Sequence, residues 1–382
     1  MMSEGPDEAQ SRRLLIIGGS HDHLGGVEAF CDRSTAAMHE RGGWYCDRIT
    51  AETAYLTWSH VPTFVLSILH VAWRGIYRRP DVAWIQYVNF PDLFYVLIAK
   101  MVGLRVMVTP HLGSNWRSQS SRRLRGISER LLRLANRLAL ISWTQEKEIR
   151  LPGGPPRSLI RNFLPSTVLT TELVEADGLP PAMQLIHSSR LSEGKGTFLF
   201  VDVCRQLRDA GVPFQARITG TGDAETMSRL RTMIDEGNLQ NEVLVLGRVP
   251  EDELLDHLRR SDVLIHLSRI DSYPLIILEA MTCSTVPVAM ELAGARDMIE
   301  TYRGLVVSIE QPVAETVEWL KACDLGALRA SRLETARRVR TDYGWPRCAN
   351  ALAAALDACF RGDSKVVTQP ELVDGTESRD PA

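Results

Sequence analysis

"DVLIHLSRIDSYPLIILEAMTCSTVPVAM" (residues 262–290) holds two strand-like runs, DVLIHLS (262–268) and TVPVAM (285–290), around one helix-length apolar segment. Aliphatic and β-branched runs that alternate with helical segments indicate an α/β chain with parallel strands. Pro274 suits a first helical turn, where its missing N–H costs nothing. Asp271 then lies in the loop before the helix, and Glu279 in its second turn, directly after the apolar run Leu275 to Leu278. An ionised carboxylate in such company must be exposed, paired, or completed by a ligand rich in hydroxyls.

The same alternation extends in both directions. Upstream lie MQLIHSS (183–189), FQARITG (214–220) and EVLVLG (242–247); further back come RLLIIGG (13–19), DVAWIQY (81–87), LRVMVTP (104–110) and LALIS (138–142), closed by SLIRNFLP (158–165). A polar stretch at 166–181 reads as a linker between two sets of strands. The expected architecture is two Rossmann-like halves, over 13–170 and 171–345, followed by a terminal helix over 346–361. Residues 1–12 read as a flexible start and 362–382 as a disordered tail, because both are polar and aperiodic.

Composition narrows the possibilities. With 382 residues, 45% apolar and 24% charged, the chain can bury sizeable cores. A net charge of -3 carries no global bias towards nucleic acid. The seven cysteines are scattered without a C-x-x-C pair, which argues against a zinc site or a disulfide framework and fits a reducing cytoplasm. The start lacks a signal-peptide pattern, and the longest apolar stretch, VPTFVLSILHVAW (61–73), is broken by His70 and too short to span a bilayer. The expected location is cytoplasmic, either free or peripheral to the membrane.

In Rossmann-like halves ligands sit at the carboxyl ends of strands, so the loops there decide function. GGSHDHLGGVEAF (18–30) brings Gly25 and Gly26 to a helix start, where a phosphate or sugar can approach the backbone; a plain tight turn is the alternative. The dinucleotide spacing G-x-G-x-x-G is absent. In SSRLSEGKGTFLF (188–200), Arg190 and Lys195 flank a turn into a helix, which makes either a diphosphate site or a solvated loop. Gly220 in ARITGTGDAE (216–225) again allows close approach, whereas VLVLGRVPEDELLDHL (243–258) reads as structural. The helix start formed by Ser272, Tyr273, Pro274 and Leu275 offers backbone donors to an anion. Between Arg117 and Arg137 stand seven arginines and one acid, Glu129, with an apolar stripe of Leu124, Ile127, Leu131, Leu134 and Leu138. That is either a helix covering the sheet or a contact with an anionic membrane through Arg122, Arg123, Arg125 and Arg130. Nucleic acid fits less well, since interleaved aromatics are missing.

G-G-V-E after the first strand, R-L-x-x-x-K-G after the first strand of the second half, and a carboxylate pair before A-M together resemble glycosyltransferase family 4. RPDVAWIQY followed by GLRVMVTPHLGSNW resembles the first domain of that family, and the likeness runs from residue 13 to about 360. The resemblance implies a GT-B fold, with the terminal helix packing back towards the first half. It implies a retaining transfer from a UDP- or GDP-linked sugar to a glycan or lipid-linked acceptor, with no metal and no other cofactor. Arg190 and Lys195 would hold the diphosphate, Gly26 would approach the phosphates, and Glu279 would bind the ribose. Asp271 would face the transferred sugar, with His111 beside it; a loop histidine satisfied by backbone is the alternative. Two departures stand out: Asp271 where the family usually has Glu, and Gly294-Ala295 where it has Gly-Gly. A sugar-nucleotide epimerase and a catalytically silent partner subunit are the rival readings.

Overall fold

The computed structural model describes residues 11–19, 25–51, 53, 60–111, 122–149, 151–173, 180–271 and 273–365. In the first half β1 (Arg12–Ile17), β2 (Trp44–Ile49), β3 (Val82–Tyr87), β4 (Arg105–Pro110), β5 (Arg137–Leu140) and β6 (Arg157–Leu159) form one sheet in the order β2-β1-β3-β4-β5-β6. In the second, β7 (Met183–Ser188), β8 (Phe214–Thr219), β9 (Val243–Gly247), β10 (Val263–His266), β11 (Val286–Met290) and β12 (Leu305–Val307) take the order β12-β11-β10-β7-β8-β9. Every strand pairing is parallel. Sequence reading misses β2 and β12. The first carries Asp47 and Arg48 at the sheet edge, and the second, though apolar, is only three residues long, so neither stands out as a strand.

Strand order reverses between β1 and β3, and again between β7 and β10. Helices leave such a point on opposite faces, so a crevice opens at the carboxyl ends of those strands. The loops after β1, β4, β7 and β10 carry Gly25, His111, Lys195 and Asp271.

Helices cover both faces of each sheet. On one face of the first sheet, α1 (Gly26–Arg41) contributes Phe30, Cys31 and Met38 to a core shared with Leu14, Ile16 and Trp84. The last helix, α14 (Trp345–Arg361), adds Cys348, Leu352 and Leu356 to that same core, and Trp345 Nε1 donates to Leu164 O at 2.7 Å. The chain therefore returns from the second half to finish the first. The other face is covered by α2 (Val61–Tyr77), α3 (Asp92–Met101) and α4 (Arg122–Leu132). In the second half, α7 (Thr197–Asp209) and α12 (Pro312–Ala322) share one core. On the opposite face lie α9 (Glu251–Arg259), α10 (Leu275–Thr282) and α11 (Ala293–Tyr302).

Three expectations shift. Arg12 belongs to β1, where it pairs with Asp357 and stacks over Phe360 at 4.9 Å, so order begins before residue 13. Asp363 and Lys365, which the sequence reading put in the tail, are held in place, because Arg137 donates to their carbonyls. That arginine opens β5 fully buried and is no part of a basic helical face. Residues 1–10 and 366–382, the linker positions 174–179, Arg117 and Ser272 lie outside the described residues.

Candidate active site

A cleft of about 1080 Å³ lies between the two halves, at the carboxyl ends of the sheets. Its second-half wall holds Lys195, His266, Asp271, Tyr273, Pro274, Leu275 and Glu279; its first-half wall holds Gly25, Gly26, Arg33, His111 and Asn162. Side chains more than 200 residues apart in sequence thus meet.

Asp271 sits just beyond β10 between two cationic or donor groups from its own half. Lys195 Nζ forms an ion pair with Oδ1, and His266 Nε2 donates to Oδ2 at 2.8 Å. Backbone geometry brings Lys195 there. Gly196 has φ +77°, and a Cβ on it would meet Leu267 O at 2.1 Å, so only glycine lets the loop after β7 cross the end of β10. Burial alone would raise the Asp271 carboxyl. The hydrogen bond and charge of His266, together with Lys195, outweigh that and hold it well below the usual carboxylate range. His266 escapes the sequence reading because it looks like one polar residue in an oily strand; its Nδ1 has no partner among the described residues.

Glu279 is held differently. It lies in the second turn of α10, whose Ile277, Leu278, Ala280 and Met281 face the core. Pro274 precedes this helix by one residue and caps it, where the sequence reading put it inside the first turn. Burial raises the Glu279 carboxyl, and Arg33, a first-half residue on α1, opposes the rise. Arg33 Nη1 donates to Glu279 Oε1 at 3.0 Å and to Phe163 O at 3.2 Å, while Nη2 pairs with Glu251. Nothing in the sequence pattern marks Arg33, which sits on an ordinary amphipathic helix.

The first-half wall otherwise carries one charge at its edge, Asp32, which pairs with Arg48. Gly25 caps α1, and a Cβ on Gly26 would lie 3.6 Å from Leu275 Cδ1, so the starts of α1 and α10 face each other across the cleft. Protein packing does not forbid a side chain at Gly26; a glycine there leaves room for a ligand at two helix N-termini. His111 Nε2 donates to Gln86 Oε1 at 2.8 Å, and its ring meets Phe30 edge-on at 5.3 Å. Burial pushes its imidazole down to about 3, so it is neutral at physiological pH.

Other sequence candidates fall elsewhere. Arg190 is exposed and outside the residues that line the cleft, unlike Lys195. Gly220 does not line the cleft either. Its φ is +117°, and a Cβ would meet Ser189 O at 1.8 Å, so packing of the loop after β7 accounts for the glycine. The stretch read as structural contributes Arg248, Val249, Pro250 and Leu254 to the cleft wall. On the outer face, Arg122, Arg123, Arg125, Arg130 and Arg133 are all exposed. The apolar stripe among them is incomplete: α4 ends at Leu132, Ile127 and Leu134 are exposed, and Leu138 belongs to β5.

Two facing Rossmann-like sheets with a charged cleft at their switch points define a GT-B protein. Sucrose-phosphate synthase from Thermosynechococcus elongatus superimposes with TM-score 0.77 at 15% identity, covering 92% of this chain and 100% of that one. HepE of Anabaena, in complex with UDP-glucose, gives TM-score 0.71 at 15% identity, with 90% and 99% covered. The family model described as glycosyl transferases group 1 matches residues 180–339. WcaL of Salmonella typhimurium, named as a colanic acid biosynthesis glycosyltransferase, is 29% identical over 180 residues. The match covers 45% of this chain, which spans less than half, 43%, of that relative's length.

Proposed function

We propose that the chain is a retaining glycosyltransferase that moves a hexosyl group from a UDP- or GDP-linked donor to a glycan or lipid-linked acceptor in polysaccharide or glycolipid biosynthesis. The observation that carries this reading is one cleft that joins an anion-binding set to two carboxylates in unlike surroundings. Lys195 and the starts of α1 and α10 form that set, and Asp271 and Glu279 are the carboxylates. The naming of WcaL for colanic acid, and UDP-glucose in HepE, support the donor and product classes.

In this reading the donor diphosphate lies between the two helix starts, where free N–H groups and the helix dipoles favour negative charge without a metal. Lys195 adds a charge-assisted bond of about 1.5–3 kcal/mol, with Arg190 at the rim. Glu279 accepts hydrogen bonds from the ribose hydroxyls, which answers why the chain keeps a carboxylate in an oily helix. As the bond from the anomeric carbon to the diphosphate breaks, positive charge develops on the sugar and negative charge on the leaving phosphate. Lys195 meets the second. Asp271, kept ionised by His266 and Lys195, faces the first. His111, neutral, serves as a hydrogen-bonding group beside the sugar.

The acceptor is approached at the membrane's cytoplasmic side. On α2, Val65, Leu66, Leu69, Trp73, Ile76 and Tyr77 are 48% to 73% exposed, and Phe94 and Met101 of α3 extend that apolar surface. The exposed arginines of α4 lie on the same face of the first sheet. Apolar and aromatic side chains beside a cationic cluster fit an anionic bilayer surface. Among the described residues no helix is long and apolar enough to cross a membrane.

The test is to incubate the protein with UDP- and GDP-sugars, with and without lipid-linked acceptors, and to follow nucleoside diphosphate release. Acceptor-dependent release is expected. Interconversion of the sugar nucleotide without acceptor would replace this reading with the epimerase, and donor binding without turnover would replace it with the silent subunit.

A further inference from the structure

We infer that Arg33 is a positioning residue for the nucleotide, which holds Glu279 turned so that its free carboxylate oxygen meets the ribose, and which does so from the opposite half of the molecule. The inference rests on the reading that Glu279 binds ribose hydroxyls.

Arg33 belongs to α1, in the first half, while both of its acidic partners lie on second-half helices, Glu279 on α10 and Glu251 at the start of α9. Its guanidinium is nearly enclosed, with 10% of the side chain exposed, and a third bond to Phe163 O fixes it from its own half. A planar fork is what lets one side chain hold two carboxylates and a carbonyl at once; an ammonium group lacks that geometry. Arg33 uses only Oε1 of Glu279, and Oε2 makes no hydrogen bond among the described residues. The bond therefore orients the carboxylate and leaves an oxygen open in the cleft, rather than blocking it.

Charge supplies the second part. Burial favours the protonated form of Glu279, Glu251 adds to that, and Arg33 is the cation that opposes both. A carboxylate accepts hydrogen bonds at both oxygens only while ionised, so loss of Arg33 spoils both its aim and its chemistry. Because this bond joins the two halves, nucleotide binding at Glu279 and their docking on each other favour one another.

Calorimetry with UDP and GDP, and with their 2′- and 3′-deoxy forms, tests this on wild type, Glu279→Gln, Arg33→Gln, Arg33→Lys and the variant with Gln at both positions. Wild type should prefer the ribose form of its nucleotide by about tenfold or more, and Glu279→Gln should lose that preference. Arg33→Gln should lose most of it while binding of the deoxy forms changes little. Arg33→Lys, which keeps the charge, should fall between the two. The doubly substituted protein should lose no more than Glu279→Gln alone, as expected of residues acting as a unit. The inference is overturned if Arg33→Gln keeps the wild-type preference, or weakens ribose and deoxy forms equally, while Glu279→Gln loses it. If Glu279→Gln itself keeps the preference, the ribose reading fails first, and the role of Arg33 falls with it.

Discussion

In the second half of the molecule the charged side chains of interest point into the cleft; in the first half, Arg33 and Asp32 apart, the charged cluster lies on the outer face. Both halves rest on six parallel strands with a reversal of strand order. Yet Lys195, His266, Asp271 and Glu279 all come from the second, whereas the first offers glycines, Asn162 and a neutral His111 to the cleft and sets its exposed arginines on an outer helix. The group 1 family model covers residues 180–339, which is the half with the charged wall. One shared plan thus carries two kinds of surface, one with its charges turned into the cleft and one with its charges on an outer helix.

Substitutions should separate the halves by what they change. The largest effect is expected at Asp271, where Asp271→Asn removes the charge that, in the proposed function, faces the reacting sugar. Steady-state turnover should fall on the order of a hundredfold, with nucleotide affinity nearly unchanged, and full turnover would remove Asp271 from the chemistry. Next comes the outer face. Replacing Arg122, Arg123 and Arg125 with Gln should cost about 1 kcal/mol each in binding to phosphatidylserine-containing vesicles at low salt, measured by co-sedimentation, with donor binding intact. Wild type that ignores such vesicles would return α4 to a mere cover for the sheet. Lys195→Ala should weaken donor binding by about 1.5–3 kcal/mol, and Arg190→Ala, outside the lining, should weaken it less. Equal losses would show that the exposed arginine reaches the donor as well.

A pH-dependent effect concerns His111. Its folded pKa, about 3, lies below the unfolded value of about 6.5, so across that window the unfolded chain binds a proton that the folded chain does not. Stability from this group is complete above about pH 6.5 and falls as pH drops, by at most about 1.4 kcal/mol per pH unit. Urea midpoints of His111→Gln should therefore decline less between pH 6.5 and 4.5 than those of wild type. Parallel declines would contradict the buried, neutral imidazole.

Nine of the strands announce themselves as apolar runs, since a parallel strand covered on both faces must be oily along its whole length, and the three-residue edge strand Arg157–Leu159 does not. The edge strand Trp44–Ile49 and the short Leu305–Val307 have no such constraint and stay hidden. Lys195, Asp271 and Glu279 are legible because each stands beside a glycine turn or a helix start. Arg33 and His266 are not, because their meaning lies in partners from other elements. Arg33 meets Glu279 across 246 positions of sequence, a distance that no local pattern encodes. Gly220 is a glycine whose presence the carbonyl of Ser189 already requires, so the residue type alone does not point to a ligand.

The central claim is that the cleft takes a nucleotide whose ribose meets Glu279. Calorimetric titration of UDP and GDP into wild type and Glu279→Gln tests it most directly. Saturable binding of one of them at one site per chain is predicted, weakened at least about tenfold by the substitution. Binding of neither nucleotide, or equal affinity in both proteins, would contradict it.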